Sequence, residues 1–277
     1  MKSGETISGD LTADTSDGKS AVCGGPVSRL ISAMPTLGLD ELKKVKLLTR
    51  YDSKFVIPEW QLGELLVRLQ SGYALLTIDG LSLFSYRSRY FDSDALGMYH
   101  DHHNGKANRR KVRTRYYLDS GEVFNEIKLK DSRGVTVKTR LKRESAQGDM
   151  DEKFSAWVAK STGLDTSRLA PALDVTVRRL TFVDRDFTER LTIDLDLEWE
   201  RQGRKLRLGA LSIVEVKHER KTSVSPGFRL LRGMGLRPGS LSKYCVGLAK
   251  LEPSLKQGRF KSCLLDMDKT LNYKENK

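Results

Sequence analysis

The sequence predicts an α+β chain: an antiparallel sheet of about eight strands, closed into a barrel or strongly curved, with a few short helices inserted or appended. Three observations lead there. Several segments alternate apolar and polar residues with the period of two that a strand imposes. The links between them are short and polar, such as Asp119-Ser120-Gly121 and Asp131-Ser132-Arg133-Gly134, as antiparallel hairpins require. Only a few stretches carry the spacing of a buried helix face.

Taken in order, residues 1–36 are rich in Ser, Gly, Thr and Asp and poor in large apolar side chains, which predicts a disordered N-terminal tail. The folded domain is expected over 37–256 and a charged, loosely held C-terminal tail over 257–277. A short helix is expected at 39–47, and TRYDSKFVI at 49–57 reads as a strand carrying Lys54. Pro58 then starts a helix in which Leu62, Leu65, Leu66 and Leu69 share one face. Strand material resumes at Tyr73–Ile78 and, after Asp79-Gly80, at Leu81–Phe91.

The basic segments come next. In RRKVRTRYY (109–117), Arg109, Lys111, Arg113 and Arg115 share one face of an extended chain. In VFNEIKLK (123–130), Phe124, Glu126, Lys128 and Lys130 lie on one side, and in VTVKTRLK (135–142), Lys138, Arg140 and Lys142 do. A solvated sheet face also alternates in this way. Here, however, the side chains are nearly all of one sign, and like charges on neighbouring strands destabilise a sheet. An anionic ligand removes that conflict, so truncating Arg113 or Arg115 is expected to leave ligand-free stability unchanged or raised. Arg at 113, 115 and 140 suits bidentate phosphate contacts.

Beyond a polar stretch at 143–152, Phe154, Trp157 and Val158 mark a packing helix over 153–161. Residues 173–183 form a strand with Arg178 and Arg179, and the spacing leaves open which of the two faces inward. The clearest alternation in the chain is at 190–199, where Leu191, Ile193, Leu195, Leu197 and Trp199 oppose Arg190, Thr192, Asp194, Asp196 and Glu198. Lys205–Lys217 follows, with Glu215 and Lys217 on one face, then a helix near 225–235 and a last strand-like segment, LSKYCVGL, at 241–248.

With 277 residues and a net charge of +13, the chain points to a polyanionic partner. Three dispersed cysteines, Cys23, Cys245 and Cys263, argue against a disulfide framework or a zinc site. The histidines His100, His102 and His103 read as surface or substrate-adjacent groups rather than metal ligands. Without a membrane-length apolar run or a signal-peptide core, the expected location is cytoplasmic. Aromatic residues make up 8% of the chain and are not interleaved through the basic strands, which argues against a base-stacking platform, and no sequence-specific nucleic acid is expected as a ligand. No phosphate-binding P-loop or dinucleotide glycine motif is present.

In this order, the segments RYDSKFVIP (50–58), SRYFDS (88–93), MYHDHHNG (98–105), RKVRTRYY (110–117), EIKLK (126–130), VKTR (137–140), RRLTF (178–182), ERLTIDLDL (189–197), VEVK (214–217) and LSKYC (241–245) resemble the VTC (vacuolar transporter chaperone) catalytic domain. That domain is the polyphosphate polymerase branch of the triphosphate tunnel metalloenzyme, or CYTH-like, superfamily. The resemblance implies an eight-stranded antiparallel tunnel holding ATP, triphosphate and polyphosphate, with Mn²⁺ or Mg²⁺ as cofactor. It implies Lys54, Arg113, Arg115, Lys128, Lys138, Arg140, Arg179, Arg190 and Lys243 as phosphate ligands, Arg113, Arg115 and Lys243 as catalytic, and Glu215 as the metal ligand. In this chain Arg50, Asp52 and Lys54 stand where the wider superfamily carries ExExK. That departure fits γ-phosphoryl transfer from ATP to a growing polyphosphate chain better than triphosphate hydrolysis, the runner-up; a non-catalytic polyphosphate-binding module is the other alternative. The membrane modules of eukaryotic members are absent from the sequence given, and a membrane-protein partner is compatible with it.

Overall fold

The computed structural model describes residues 25–45, 51–143, 150–219 and 225–272. In chain order its elements are α1 Pro26–Ser32, β1 Thr36–Leu37, α2 Leu39–Leu42, β2 Tyr51–Pro58, α3 Glu59–Leu69, β3 Tyr73–Leu76, β4 Phe84–Ser93, α4 Gly97–His103, β5 Arg109–Tyr117, β6 Val123–Lys130, β7 Thr136–Arg143 and α5 Glu152–Thr162. There follow β8 Leu169–Asp184, β9 Glu189–Arg201, β10 Arg204–Leu208, β11 Leu211–His218, α6 Pro226–Gly233, α7 Lys243–Leu251 and α8 Lys261–Asn272.

Eight strands form the main antiparallel path, in the order β2-β11-β9-β8-β4-β5-β6-β7. β10 extends it beside β9, and β3 pairs with β8 and carries β1 in parallel. Among the described residues no ladder joins β2 to β7, so the sheet is curled without a closed hydrogen-bonded ring. The curl is read from contacts that span it. At the start of α7, Ser242 accepts from Lys111 Nζ of β5 at 2.7 Å, Tyr244 stacks on Tyr90 of β4 at 5.0 Å, and Lys243 between them pairs with Asp194 of β9. Strands from the two halves of the path therefore meet one short segment across an interior.

The turns are where the sequence puts them. Asp79 and Gly80 both have positive φ, 49° and 79°, and Gly121 (71°) and Gly134 (83°) close the β5–β6 and β6–β7 hairpins, conformations a glycine adopts without steric cost.

On the outer face, Phe55, Ile57, Leu180, Phe182, Leu191, Ile193, Leu195, Val214 and Val216 are covered by Leu62, Leu65, Leu66 and Leu69 of α3. A second outer cluster joins Phe91, Val112 and Ile127 to Phe154 and Val158 of α5. The third core lies on the inner face at one end, where Val175, Val177, Leu197, Trp199 and Ile213 pack against Tyr244, Cys245 and Leu248 of α7. The approach there is close: a Cβ on Gly247 would sit 2.5 Å from the Trp199 indole.

β9 thus serves two cores, and a bulge explains how. The register between β8 and β9 shifts between Thr176 and Arg178, and Asp196 opposite them has φ +49°. One extra residue on β9 reverses its alternation. Leu191, Ile193 and Leu195 point outward, whereas Leu197 and Trp199 point inward, although the sequence reads as one uninterrupted period of two.

Three expectations are corrected. The N-terminal tail does not extend to residue 36: α1 packs Val27, Leu30 and Ile31 against the outer core and Met34 is buried, while residues 1–24 lie outside the described set. The segment after Lys256 is not a loose tail up to Asn272, because Phe260, just before α8, and Cys263, Leu264 and Met267 on α8 complete the inner core. LSKYCVGL is not strand-like; Ser242 caps the start of α7 by accepting from the Cys245 N–H, and Tyr244 to Ala249 are buried on every side of the helix. No helix among the described residues is long and apolar enough to cross a membrane.

Candidate phosphate-binding tunnel

Strand register assigns the inner-face side chains. Lys54 on β2 lies opposite Glu215 on β11, and Glu215 lies opposite Thr192 on β9. Asp194 lies opposite Arg179 on β8. Across the next strands Tyr90 lies opposite Arg113, Arg113 opposite Glu126, and Lys128 opposite Lys138. Alternation therefore turns all of these side chains to one surface.

That surface is not a bare field of like charge. Three carboxylates divide it. Glu126, 2% exposed, accepts a hydrogen bond from Arg113 Nε at 2.7 Å and pairs with Lys138, with Arg115 Nε at 4.0 Å. Asp194, fully buried, accepts Arg179 through both oxygens at 2.6 and 2.8 Å and also pairs with Lys243 from the first turn of α7. Glu215, 12% exposed, has Lys54 on one oxygen at 2.8 Å and Lys217 on the other at 3.0 Å.

The electrostatics follow this geometry. Burial favours the neutral carboxyl of Glu126, but Arg113, Arg115 and Lys138 outweigh it and hold that group at about 2. Asp194 and Glu215 are likewise held well below the carboxylate range: burial opposes, Arg179 and Lys243 prevail at Asp194, and Lys217, Lys54 and Lys243 prevail at Glu215. The cations carry the opposite imprint. Burial lowers Lys217 to about 8 against the pull of Glu215, and lowers Lys138 to about 8 against that of Glu126. Arg115 is lowered to about 10 by burial and by its neighbours Arg113 and Arg179.

Three inner-face donors remain without a hydrogen-bond acceptor among the described residues: Trp199 Nε1 within the α7 core, and Arg115 Nε and Thr192 Oγ1 on the charged surface, all buried. A buried donor left unpaired costs free energy that an oxygen-rich ligand removes. Tyr90, whose hydroxyl accepts from Arg113 Nη1 at 2.9 Å, is drawn down to about 8: burial raises it, and Arg113, Lys111 and Arg115 more than offset that.

The residues singled out from the sequence are distributed as follows. Lys54, Arg113, Arg115, Lys138, Arg179, Lys243 and Glu215 meet in the three clusters. Lys128 lies beside Lys111, whose Nζ donates to Ser242 Oγ at 2.7 Å. Arg190 is in register with Lys217. Arg140 is exposed and stands over the Phe124 ring at 4.9 Å. The ambiguity in β8 is resolved by position: Arg179 faces inward, while Arg178 pairs with Asp196 on the other surface. Sequence reasoning passed over Asp194 and Glu126 as site residues. The signal was present, since Asp194 has the parity of Arg190 and Glu126 that of Lys128, but an acidic residue in a basic face reads as incidental until its partners are known.

For a divalent cation, Glu215 offers a hard oxygen donor, with Asp52 in register opposite its neighbour Lys217. Among the described residues no group of three or more His, Cys, Asp or Glu is gathered to hold an ion alone. The donor set fits an ion that shares its shell with substrate oxygens, as Mg²⁺ commonly does with one or two carboxylates and phosphates. His102 is lowered to about 3 by burial and by Lys111, Arg109, Arg259 and Lys128.

The family model described as the VTC domain matches residues 49–252. No curated protein matches the chain. Among solved structures, a Hippeastrum protein, described as a candidate adenylyl cyclase with a dominant triphosphatase activity, is 16% identical with a TM-score of 0.47, covering 73% of this chain and 96% of that one. A Bacillus halodurans protein, also described as a candidate adenylate cyclase, is 13% identical with a TM-score of 0.47 over 69% of this chain and 92% of that one. The PH1819 protein of Pyrococcus horikoshii is 12% identical, TM-score 0.43, covering 73% and 99%.

Proposed function

The chain belongs to the VTC domain family, and from that premise we propose that it is a polyphosphate polymerase, passing the γ-phosphoryl group of ATP to the end of a polyphosphate chain along the inner face. The observation that supports this most is the set of three cation clusters, at Glu126, Asp194 and Glu215, lining one curled surface with Arg115 Nε and Thr192 Oγ1 short of acceptors.

In this reading a terminal polyphosphate oxygen attacks the γ-phosphorus, the new P–O bond forms as the bond to the β,γ-bridging oxygen breaks, and ADP leaves. The nucleophile is already anionic, so no side-chain base is needed, and the protein's task is alignment and charge neutralisation. Arg113, Arg115 and Lys243 hold the transferring group. Lys54, Lys128, Lys138, Arg179 and Arg190 hold the flanking phosphates of donor and acceptor. Mn²⁺ or Mg²⁺ bound at Glu215 would supply neutralisation of charge on the donor's oxygens. Arg179 and Lys243, both anchored on Asp194, keep two cations at a fixed separation without reorganisation during the reaction.

The test is to incubate the chain with ATP and Mn²⁺ and separate ADP, orthophosphate and polyphosphate. ADP with lengthening polyphosphate is the expected result. Orthophosphate as the sole second product would convert the reading to a triphosphatase, and no consumption of ATP would leave a binding module. Glu215→Gln is expected to abolish metal-dependent turnover while metal-free tripolyphosphate binding stays equal or tightens, because a negative charge has left the site.

A further inference from the structure

One end of the inner face has a different chemistry from the rest. Tyr86 and Tyr117 are in register across β4 and β5, with ring centroids 5.1 Å apart, and Tyr117 meets Phe124 of β6 at 5.6 Å, both pairs edge to face. All three rings are partly exposed. Cations stand over their faces: Arg140 is 4.9 Å from the centre of Phe124, and Arg115 and Arg179 are each 5.5 Å from that of Tyr86. Deeper in, the cations are held by carboxylates; at this end Arg140 is held over a ring.

Resting on the phosphate-transfer reading above, we propose that this end receives the nucleobase of a nucleoside triphosphate, stacked against Phe124 beneath the Arg140 guanidinium. An aromatic face and a planar guanidinium are the two surfaces on which bases stack without regard to sequence. Arg140 is exposed and belongs to the terminal strand β7, so it has room to withdraw and admit a flat ring. The connection to the phosphates is built into the register. Arg115 lies directly opposite Phe124, and Arg113 with Glu126 comes two residues further along the same strands, about 6–7 Å inward. A triphosphate leaving a base at Phe124 therefore meets Arg115 and Arg179 first and Arg113 next. The site gathers its rings from three strands, which is why the low aromatic content of the basic segments, read one strand at a time, gives no sign of it.

The experiment compares three probes on the full chain without divalent metal, so that nothing turns over: ATP, ribose 5-triphosphate, which lacks the base, and inorganic tripolyphosphate. By calorimetric titration wild type should bind ATP about tenfold or more tighter than ribose 5-triphosphate, and Phe124→Leu should remove that margin while changing the other two probes by less than about twofold. Should Phe124→Leu fail to fold, the wild-type comparison decides alone. Equal wild-type affinity for ATP and ribose 5-triphosphate overturns the base site and leaves the phosphate reading standing. Equal weakening of all three probes by Phe124→Leu overturns it too, since the ring would then be supporting the wall. Failure of wild type to bind any of the three removes the phosphate reading and this inference with it.

Discussion

Arg113 and Arg115 are neighbours on one face of β5, yet only Arg113 is closed into a pair with Glu126; Arg115 stands 4.0 Å from the same carboxylate with its Nε unmatched. Two residues that look equivalent in sequence are therefore opposite in their energetics.

That difference corrects the expectation that either truncation relieves repulsion. Arg113→Ala leaves Glu126 buried with one partner fewer, and breaking such a pair costs about 3–5 kcal/mol, reduced here by the Lys138 pair that remains. Arg115→Ala removes a cation whose charged form the site disfavours, so ligand-free stability should hold or rise. Urea denaturation of both variants checks this, and a matched loss in the two would contradict it.

Glu126 ties stability to acid. Its carboxyl is depressed in the folded state from 4.5 to about 2, so the folded protein binds fewer protons than the unfolded chain across that interval. The contribution is fully present above about pH 4.5, is lost as pH falls through about 2, and amounts to on the order of 3 kcal/mol. Thermal unfolding from pH 6 to pH 2 should show a steeper acid decline in wild type than in Glu126→Gln. Parallel curves would argue that Glu126 is not the group responsible.

Lys138 and Lys217 act in the alkaline range. Both are lowered to about 8 in the folded protein, below the 10.5 of an exposed lysine. Below pH 8 they are charged and tripolyphosphate binding should be nearly independent of pH; above it, binding must take up protons, so affinity should fall as pH rises toward 10. Replacing each by Arg, which stays charged, should flatten the profile. An affinity that stays constant from pH 7 to 10 in wild type would count against the assignment.

Gly247 is a packing requirement for Lys243. A methyl group there would lie 2.5 Å from the Trp199 ring, so Gly247→Ala must shift α7 or the indole, at a cost of about 1–3 kcal/mol. Because Lys243 occupies the first turn of α7, the displacement should also weaken its pair with Asp194 and lower ATP turnover. A variant with wild-type melting temperature and rate would show that the helix adapts locally.

The strands, hairpin turns and leucine stripe of α3 were legible because each is specified by local pattern: parity, a glycine at positive φ, or helical spacing. The resemblance found in the motifs agrees with the family match. What was not legible depended on long-range pairing. The Asp196 bulge is hidden because Leu195, Leu197 and Trp199 keep perfect alternation in sequence while the backbone changes sides beneath them. LSKYCVGL carries no feature that excludes a strand; its helix follows from the cap at Ser242 and the apolar seat against Trp199. The roles of Asp194 and Glu126 emerge only when Arg179, Lys243, Arg113 and Lys138 arrive from other elements.

The three carboxylates already occupy the places that an incoming anion needs. Each closed pair can be opened only by something that replaces the resident negative charge, and a small monovalent ion that opens one pair merely exchanges one partner for another. A chain of phosphates differs because its charges are covalently joined: once one pair has opened, the next meets an anion at high effective concentration. On the proposed function the lining would therefore act as a valence filter, favouring ligands that can engage two or three clusters together over dilute halide and orthophosphate.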